Sequence, residues 1–370
     1  MDSLTHIVLG AAVGTAVLGR KAGLRAAVIG AACNTLPDLD VFIAQADPVR
    51  DLTFHRAETH ALFWLTLAAP AIAWLVARLN RRVDASYRDW LLLVWLSLIT
   101  HPLLDAFTVY GTQLWLPFSD YPVGIGSVFI IDPLVTVPMM VGLIAWLRWR
   151  QNAPGRGVRW IRAGLIVSTL YLGWTVAAQS HVEGEVRRSI AATPLESRRV
   201  LVTPAPFNSL LWRVIVMDDD AYHEGFRSLF DKSARIPLER HASDPQLLDS
   251  LRNERTVRRL ARFSKGFYSV RMASRDLRVA DGAPGSFSQL LGAVTTAQAA
   301  PVGSADATRP IVMTDLRMGQ TPWFVFSFVV AERGANGIRA VPNRQIASAR
   351  PPVTALPWLW NRIWDEAATY

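Results

Sequence analysis

The chain has 370 residues, 51% of them hydrophobic, and a formal net charge of +9. A single cysteine, Cys33, excludes a disulfide framework and a thiolate metal cluster. Nucleic acid is not an expected partner: within residues 1–180, Arg and Lys concentrate in three short connections (19–25, 78–88 and 148–162), the pattern of cytoplasmic loops between membrane helices. The scarcity of lysine beside arginine reads as genomic base composition.

Six apolar runs read as helices: Leu4–Leu18, Ala22–Leu36, Ala61–Ala77, Trp90–Phe107, Ser127–Leu147 and Ile161–Ala178. A crossing of the hydrocarbon core takes roughly 20 residues. The first two runs are shorter and rich in small residues, and Gly10, Gly14, Gly23 and Gly30 would let their backbones approach closely. A soluble bundle is the alternative, and the density of Trp and Phe in Ala61–Ala77 and Trp90–Phe107 argues against it. Met1–His6 lacks a basic leader, so the first helix is expected to act as an uncleaved insertion signal. Placing the basic loops inside yields a six-helix zigzag with Thr108–Gly126 and everything after His181 outside.

From His181 onward the character changes. "RVIVMDD" (213–219) and "PWFVFSFVVAE" (322–332) read as strands. "DPQLLDSLRNERTVRRLARF" (244–263) has helical spacing, whereas "GAPGS" and "AQAAPVGSADATRP" read as loops. The fold class expected is an all-α membrane domain of about six helices (1–180), followed by an α+β extracytoplasmic domain (181–370).

The zigzag gathers polar groups on its outer side. His6 opens the first helix. Asp38 and Asp40, in "NTLPDLD", follow the second. His55, Glu58 and His60, in "FHRAETH", precede the third. His101 and Asp105, in "THPLLD", end the fourth. Only Asp84 and Asp89 are acids of the inner side. Ionisable groups at membrane depth face a cavity or one another and mark function. His101 and Asp105 lie about 40° apart on a helix and could share a metal. His55 and His60 would diverge by about 140° on one helix, so His55 is placed in the loop. Imidazole with carboxylate suits zinc, with manganese or iron as alternatives. Asp132, before Pro133, reads equally as a ligand or as a helix N-cap. His181, His223 and His241 lie outside the cluster, and Asp218–Asp220 reads as a strand-end turn.

"MDSLTH", "LPDLD", "FHRAETH", "HPLLDAFTVYGTQLWLPFSD" and "VFIIDPL", in that order, resemble the YdjM-type family of bacterial inner-membrane, predicted metal-dependent hydrolases. The resemblance covers roughly residues 1–180 and implies a divalent metal in an inner-membrane protein. Its His and Asp pattern is similar to that of zinc-dependent phospholipases C. Carried over residue by residue, it implies His6, Asp38, Asp40, His55, His60, His101 and Asp105 as metal-site residues. Ala57 and Ala61 stand where the family pattern leads one to expect glycine and a small hydroxyl residue.

These readings combine into a multi-pass hydrolase with one or two divalent metals at its outer-leaflet face. The metal would acidify water and polarise a phosphoryl or carbonyl oxygen. Glu58 or Asp38 would take the proton, and Arg56 would pair with an anionic substrate oxygen. The expected partners are membrane lipids and a lipid-like or lipid-linked substrate. The rivals are an ion or metal transporter and a non-catalytic, metal-stabilised membrane protein.

Overall fold

The computed structural model describes residues 1–43, 47–274, 308–347 and 355–368. "GAPGS" and most of "AQAAPVGSADATRP" lie outside the described residues. The helices of the first half are α1 (Ser3–Ala22), α2 (Leu24–Thr35), α3 (Pro48–Phe54), α4 (Leu62–Leu79), α5 (Tyr87–Asp105), α6 (Pro133–Trp149) and α7 (Pro154–Ile190). The chain divides into two compact units. The first comprises Met1–Asp40, Arg56–Ser180 and Pro204–Ser209; the second comprises Val41–His55, His181–Thr203 and Leu210–Tyr370.

All six expected helices form in the first unit, with shifted ends. Asp2 caps α1, its carboxylate accepting from Thr5 N at 3.0 Å. Gly23, at φ 57°, makes the turn into α2, so its role is conformational and it packs against nothing. The close approach of α1 and α2 belongs to the other three glycines. A Cβ on Gly30 would stand 2.2 Å from Gly10 O, and one on Gly14 would stand 2.2 Å from Ala26 O. Ser86 and Asp89 form a capping box that starts α5, and Asp89 also binds Lys21 Nζ at 2.8 Å. The fifth helix begins at Pro133, later than Ser127, because Asp132 is its N-cap: Oδ1 accepts from Leu134 N at 3.0 Å, while Tyr171 donates to Oδ2 at 2.9 Å.

Trp90, Leu93 and Leu98 of α5 pack with Leu18, Leu65 and Ala69, and Met139 and Trp146 of α6 pack with Ile161 of α7. The outward faces are apolar as well: Phe63, Leu67 and Trp74 on α4, and Ile166, Leu170 and Trp174 on α7, are exposed. A protein dissolved in water does not present such faces. Three helices, α1, α4 and α7, are long and apolar enough to cross a membrane. α6 is apolar but has 17 residues. α2 has 12 residues, about 18 Å of helix, which falls short of a hydrocarbon core of about 30 Å. Of the six expected helices, α1, α4 and α7 thus meet the length and composition of a full crossing among the described residues.

The second unit is built mainly of β-sheet. One sheet has the order β1-β2-β3-β4, from Val200–Pro204, Leu211–Met217, Ala221–Ser228 and Glu239–Ala242. A second has the order β10-β9-β6-β5, from Gly337–Gln345, Ser327–Gly334, Arg309–Asp315 and Tyr268–Met272. Gly319–Gln320 (β7) and Trp323–Phe324 (β8) form a small ribbon. The "RVIVMDD" strand is thus β2, and Asp218–Asp220 is the turn into β3, closed by Asp218 N donating to Ala221 O at 2.9 Å. "PWFVFSFVVAE" divides into β8 and β9. "DPQLLDSLRNERTVRRLARF" divides into a 3-10 turn, Pro245–Leu251, and α8, Arg255–Phe263. A last helix, α9, spans Ala355–Trp364. Arg213 and Glu224 form a buried ion pair across β2 and β3.

Candidate metal centre

Four helix ends meet at one end of the first unit: the start of α1, the end of α2, the start of α4 and the end of α5. Their antiparallel run brings residues distant in sequence together. Asp38, His60, His101 and Asp105 each offer one donor atom, and the four atoms lie within 4.8 Å of one another. His60, His101 and Asp105 are fully buried, whereas Asp38 keeps 21% of its side chain exposed. His101 and Asp105 are adjacent turns of one helix face, as their spacing predicts.

Hydrogen bonds fix which nitrogen of each imidazole faces the group. His101 Nδ1 lies 2.6 Å from Asn34 O. A carbonyl oxygen only accepts, so Nδ1 carries the proton and Nε2 is left with a lone pair. Asn34 is itself held to α5 by donating Nδ2 to Ser97 O. For His60, Thr59 Oγ1 donates to Asp40 Oδ2 at 2.8 Å and lies 2.9 Å from His60 Nδ1. With its one proton given to the carboxylate, the hydroxyl accepts from Nδ1–H, and His60 Nε2 also keeps a lone pair. Partners of this kind orient the imidazoles in metal sites.

The two lone pairs face each other, with Nε2 to Nε2 at 3.1 Å. Asp38 Oδ1 lies 3.3 Å from His101 Nε2 and 3.6 Å from His60 Nε2. Asp105 Oδ2 lies 3.4 and 3.6 Å from the same atoms. Asp105 divides its two oxygens between roles. Oδ1 contacts the Met1 nitrogen, Arg56 Nη2 at 3.2 Å and His6 Nε2 at 3.3 Å. Oδ2 is buried and accepts no hydrogen bond. A buried carboxylate oxygen left so is costly unless a cation meets it. Asp38 stands at the one edge of the group open to solvent.

These distances fit a divalent metal. A regular tetrahedron with ligand bonds of about 2.0–2.2 Å has edges of about 3.3–3.6 Å. Five of the six edges here run from 3.1 to 3.6 Å. Two imidazole nitrogens and two carboxylate oxygens would hold a borderline ion such as zinc, manganese or iron.

The other predicted site residues are placed around this group. Asp40 points elsewhere: on the 3-10 turn Leu36–Phe42, residues two apart diverge by about 120°. Its Oδ2 accepts from Thr59 Oγ1 and from Arg56 N at 3.1 Å. His6 stacks on His101 with ring centroids 3.7 Å apart, and its Nδ1 is buried without a hydrogen bond. His55 caps the end of α3 in the second unit. Glu58 is exposed on the turn that carries His60. Arg56, at φ 65°, is buried; its Nη1 donates to Thr108 Oγ1 at 3.2 Å and its guanidinium lies 4.9 Å from the Tyr110 ring. Ala57, where glycine was expected, has φ −96°, a sign that does not demand glycine. Asp132 is the cap of α6 and is not part of the group. Sequence reasoning missed Thr59 and Asn34. Thr59 stands directly before His60 and was open to notice, whereas Asn34 meets His101 only through the packing of α2 on α5.

Fold and site together define a helical membrane domain with a candidate His/Asp metal centre, joined to a β-sheet region. Residues 1–182 match the model of the YdjM inner membrane protein family. The chain is also 25% identical over 254 residues to YfhP of Bacillus subtilis (strain 168), covering 64% of this chain and 73% of that protein. YfhP carries a name that assigns it no activity. No solved structure matches the chain significantly.

Proposed function

We propose that this protein is a membrane-embedded, metal-dependent hydrolase. The observation that carries the proposal is the convergence of four acceptor atoms, with Asp105 Oδ2 buried and unbonded among them. His60, His101 and Asp105 would hold the ion, and the side at Asp38, the one open to solvent, would be left to a water. A divalent cation so held supplies Lewis-acid activation of water and of a phosphoryl or carbonyl oxygen. Asp38, partly exposed beside the two imidazoles, is the carboxylate best placed to take a proton from an attacking water. Glu58 is less suited, because it is exposed to solvent with no bond to the cluster. Zinc is the first candidate, with manganese or iron next. The substrate class proposed is a phosphodiester or other ester of a lipid-like or lipid-linked molecule.

A second reading draws on the same distances. Four protein donors at tetrahedral spacing would also suit a closed, structural metal site. Metal analysis of the purified protein, X-ray absorption to count ligands and bound water, and a hydrolysis screen over phospholipids and lipid-linked phosphates test both. A bound metal with a water ligand and turnover supports the hydrolase. A metal with four protein ligands and no turnover supports the structural site, and a protein without affinity for divalent ions sinks both.

The proposed location is the bacterial inner membrane, crossed several times, with residues 181–370 outside the cytoplasm. Its support is the basic character of the connections at 78–88 and 148–162. Cysteine labelling at Arg252 and a reporter fused after Tyr370 check it, and cytoplasmic signals from both would overturn it.

A further inference from the structure

The connection between α5 and α6 folds back as a short hairpin. Thr112 N donates to Val123 O at 2.7 Å, and Val123 N donates to Thr112 O at 2.9 Å. Between Gly111 and Gly126 the one charged residue is Asp120. The tip presents aromatic rings outward: Trp115, Phe118 and Tyr121 are 54%, 78% and 53% exposed. Ser119 and Asp120 are the polar turn residues of the tip, and three exposed aromatic rings flank them.

Two further contacts give the tip its meaning. Its base is bonded to the segment that carries His60: Gln113 N donates to Arg56 O, and Leu62 N donates to Leu114 O, each at 3.0 Å. Its tip is continuous with the outward face of α4. The Phe118 ring meets the Phe63 ring edge to face, with centroids 5.4 Å apart, and Phe63 meets Trp64 in the same manner at 4.9 Å. Phe63 and Trp64 begin an exposed apolar surface that runs on through Leu67 and Trp74 of a helix long enough to cross the membrane. Aromatic rings gather where such a surface passes from acyl chains to headgroups.

We infer that the Trp115–Tyr121 tip lies in the headgroup–acyl boundary of the bilayer and anchors the metal centre at that depth. The hairpin and the His60 segment share backbone hydrogen bonds, so the depth of one sets the depth of the other. What meets the open edge at Asp38 is then the polar group of a membrane amphiphile. The anchoring stands on the aromatic surface alone, and only the nature of the ligand rests on the metal-centre reading.

The test places an environment-sensitive fluorophore (NBD) on Phe118→Cys, with Tyr121→Cys as a second reporter, in the full-length protein. The host is vesicles of phosphatidylethanolamine and phosphatidylglycerol. Buried Cys33 is checked by labelling the unsubstituted protein. Blue-shifted emission, quenching by nitroxide lipids and shielding from iodide are expected at both positions. A label on Arg252→Cys, on an exposed side chain of the other unit, should show iodide quenching instead. Iodide access at 118 and 121 equal to that at 252 would put the tip in water and overturn the inference. Shielding lost on dilution with excess lipid would assign the tip to a second copy of the chain and would also overturn it. Lipid quenching in a protein that binds no divalent metal would retain the anchor and remove the metal-centre reading, so the two fail separately.

Discussion

Nε2 of His60 and Nε2 of His101 stand 3.1 Å apart, and neither neutral ring has a proton to place between them. Each Nδ1–H is committed elsewhere, to Thr59 Oγ1 and to Asn34 O. Two lone pairs at hydrogen-bond distance repel unless a proton or a metal ion lies between them. With two carboxylate oxygens aimed at the same place, a divalent ion satisfies all four acceptors at once.

His101→Ala and Asp105→Asn should each sharply reduce bound metal, because each removes a donor that no neighbour replaces. Elemental analysis of protein purified from membranes measures this. His223→Ala serves as the control, since His223 lies in the second unit, 3.6 Å from Asp218. Metal content unchanged in both site variants would mean that the cluster is held together by protons alone.

Thr59 orients a ligand without being one. Thr59→Val keeps the shape and removes the hydroxyl, so His60 loses the acceptor that holds Nδ1–H. Loss of such a partner costs about 10–100-fold in metal affinity, measured by competition with a fluorescent chelator. Thr59→Ser should restore the affinity. Equal affinity in the Val and Ser variants would show that the packing of His60 alone sets its orientation.

Arg56 was expected to meet substrate, yet its guanidinium is buried against Asp105 Oδ1 and Thr108 Oγ1. Arg56→Met should therefore lower thermal stability as well as activity. Breaking a buried ion pair costs about 3–5 kcal/mol. A variant with unchanged melting temperature and metal content, but reduced turnover, would return Arg56 to a substrate role.

The second unit offers a pH test. Burial, and after it the Arg317 guanidinium, push the Lys265 ammonium down to about 8 from an ordinary 10.5. Between pH 8 and 10.5 the unfolded chain binds more protons at this site, so stability should rise with pH across that window. Below pH 8 both states are protonated and the penalty is present in full. The chain has three lysines, Lys21, Lys232 and Lys265, so side-chain NMR of lysine-labelled protein resolves the titration. A midpoint near 10.5 for Lys265 would contradict its burial.

The sequence by itself determined the six apolar helices of the first half and two strand segments of the second. It also gathered His6, Asp38, Asp40, His55, Glu58, His60, His101 and Asp105 on one side of the helical region, of which the structure brings His6, Asp38, His60, His101 and Asp105 together. Apolar periodicity, the small residues between α1 and α2, and the placement of polar groups at run ends are local properties that survive without coordinates. The His101–Asp105 spacing was legible for the same reason: a helix turn fixes it. Tertiary structure alone decided what the acids do. Asp38 and Asp40 are chemically identical and two residues apart, but the 3-10 turn sends one toward the imidazoles and the other toward Thr59. Asp132 is a cap because a proline follows it and Tyr171, from another helix, meets its second oxygen. Arg56 turns inward because Asp105, 49 positions later in the chain, offers a buried carboxylate oxygen. Such choices depend on which distant groups arrive at one point, and the pairing of four helix ends, which no local pattern encodes, sets them.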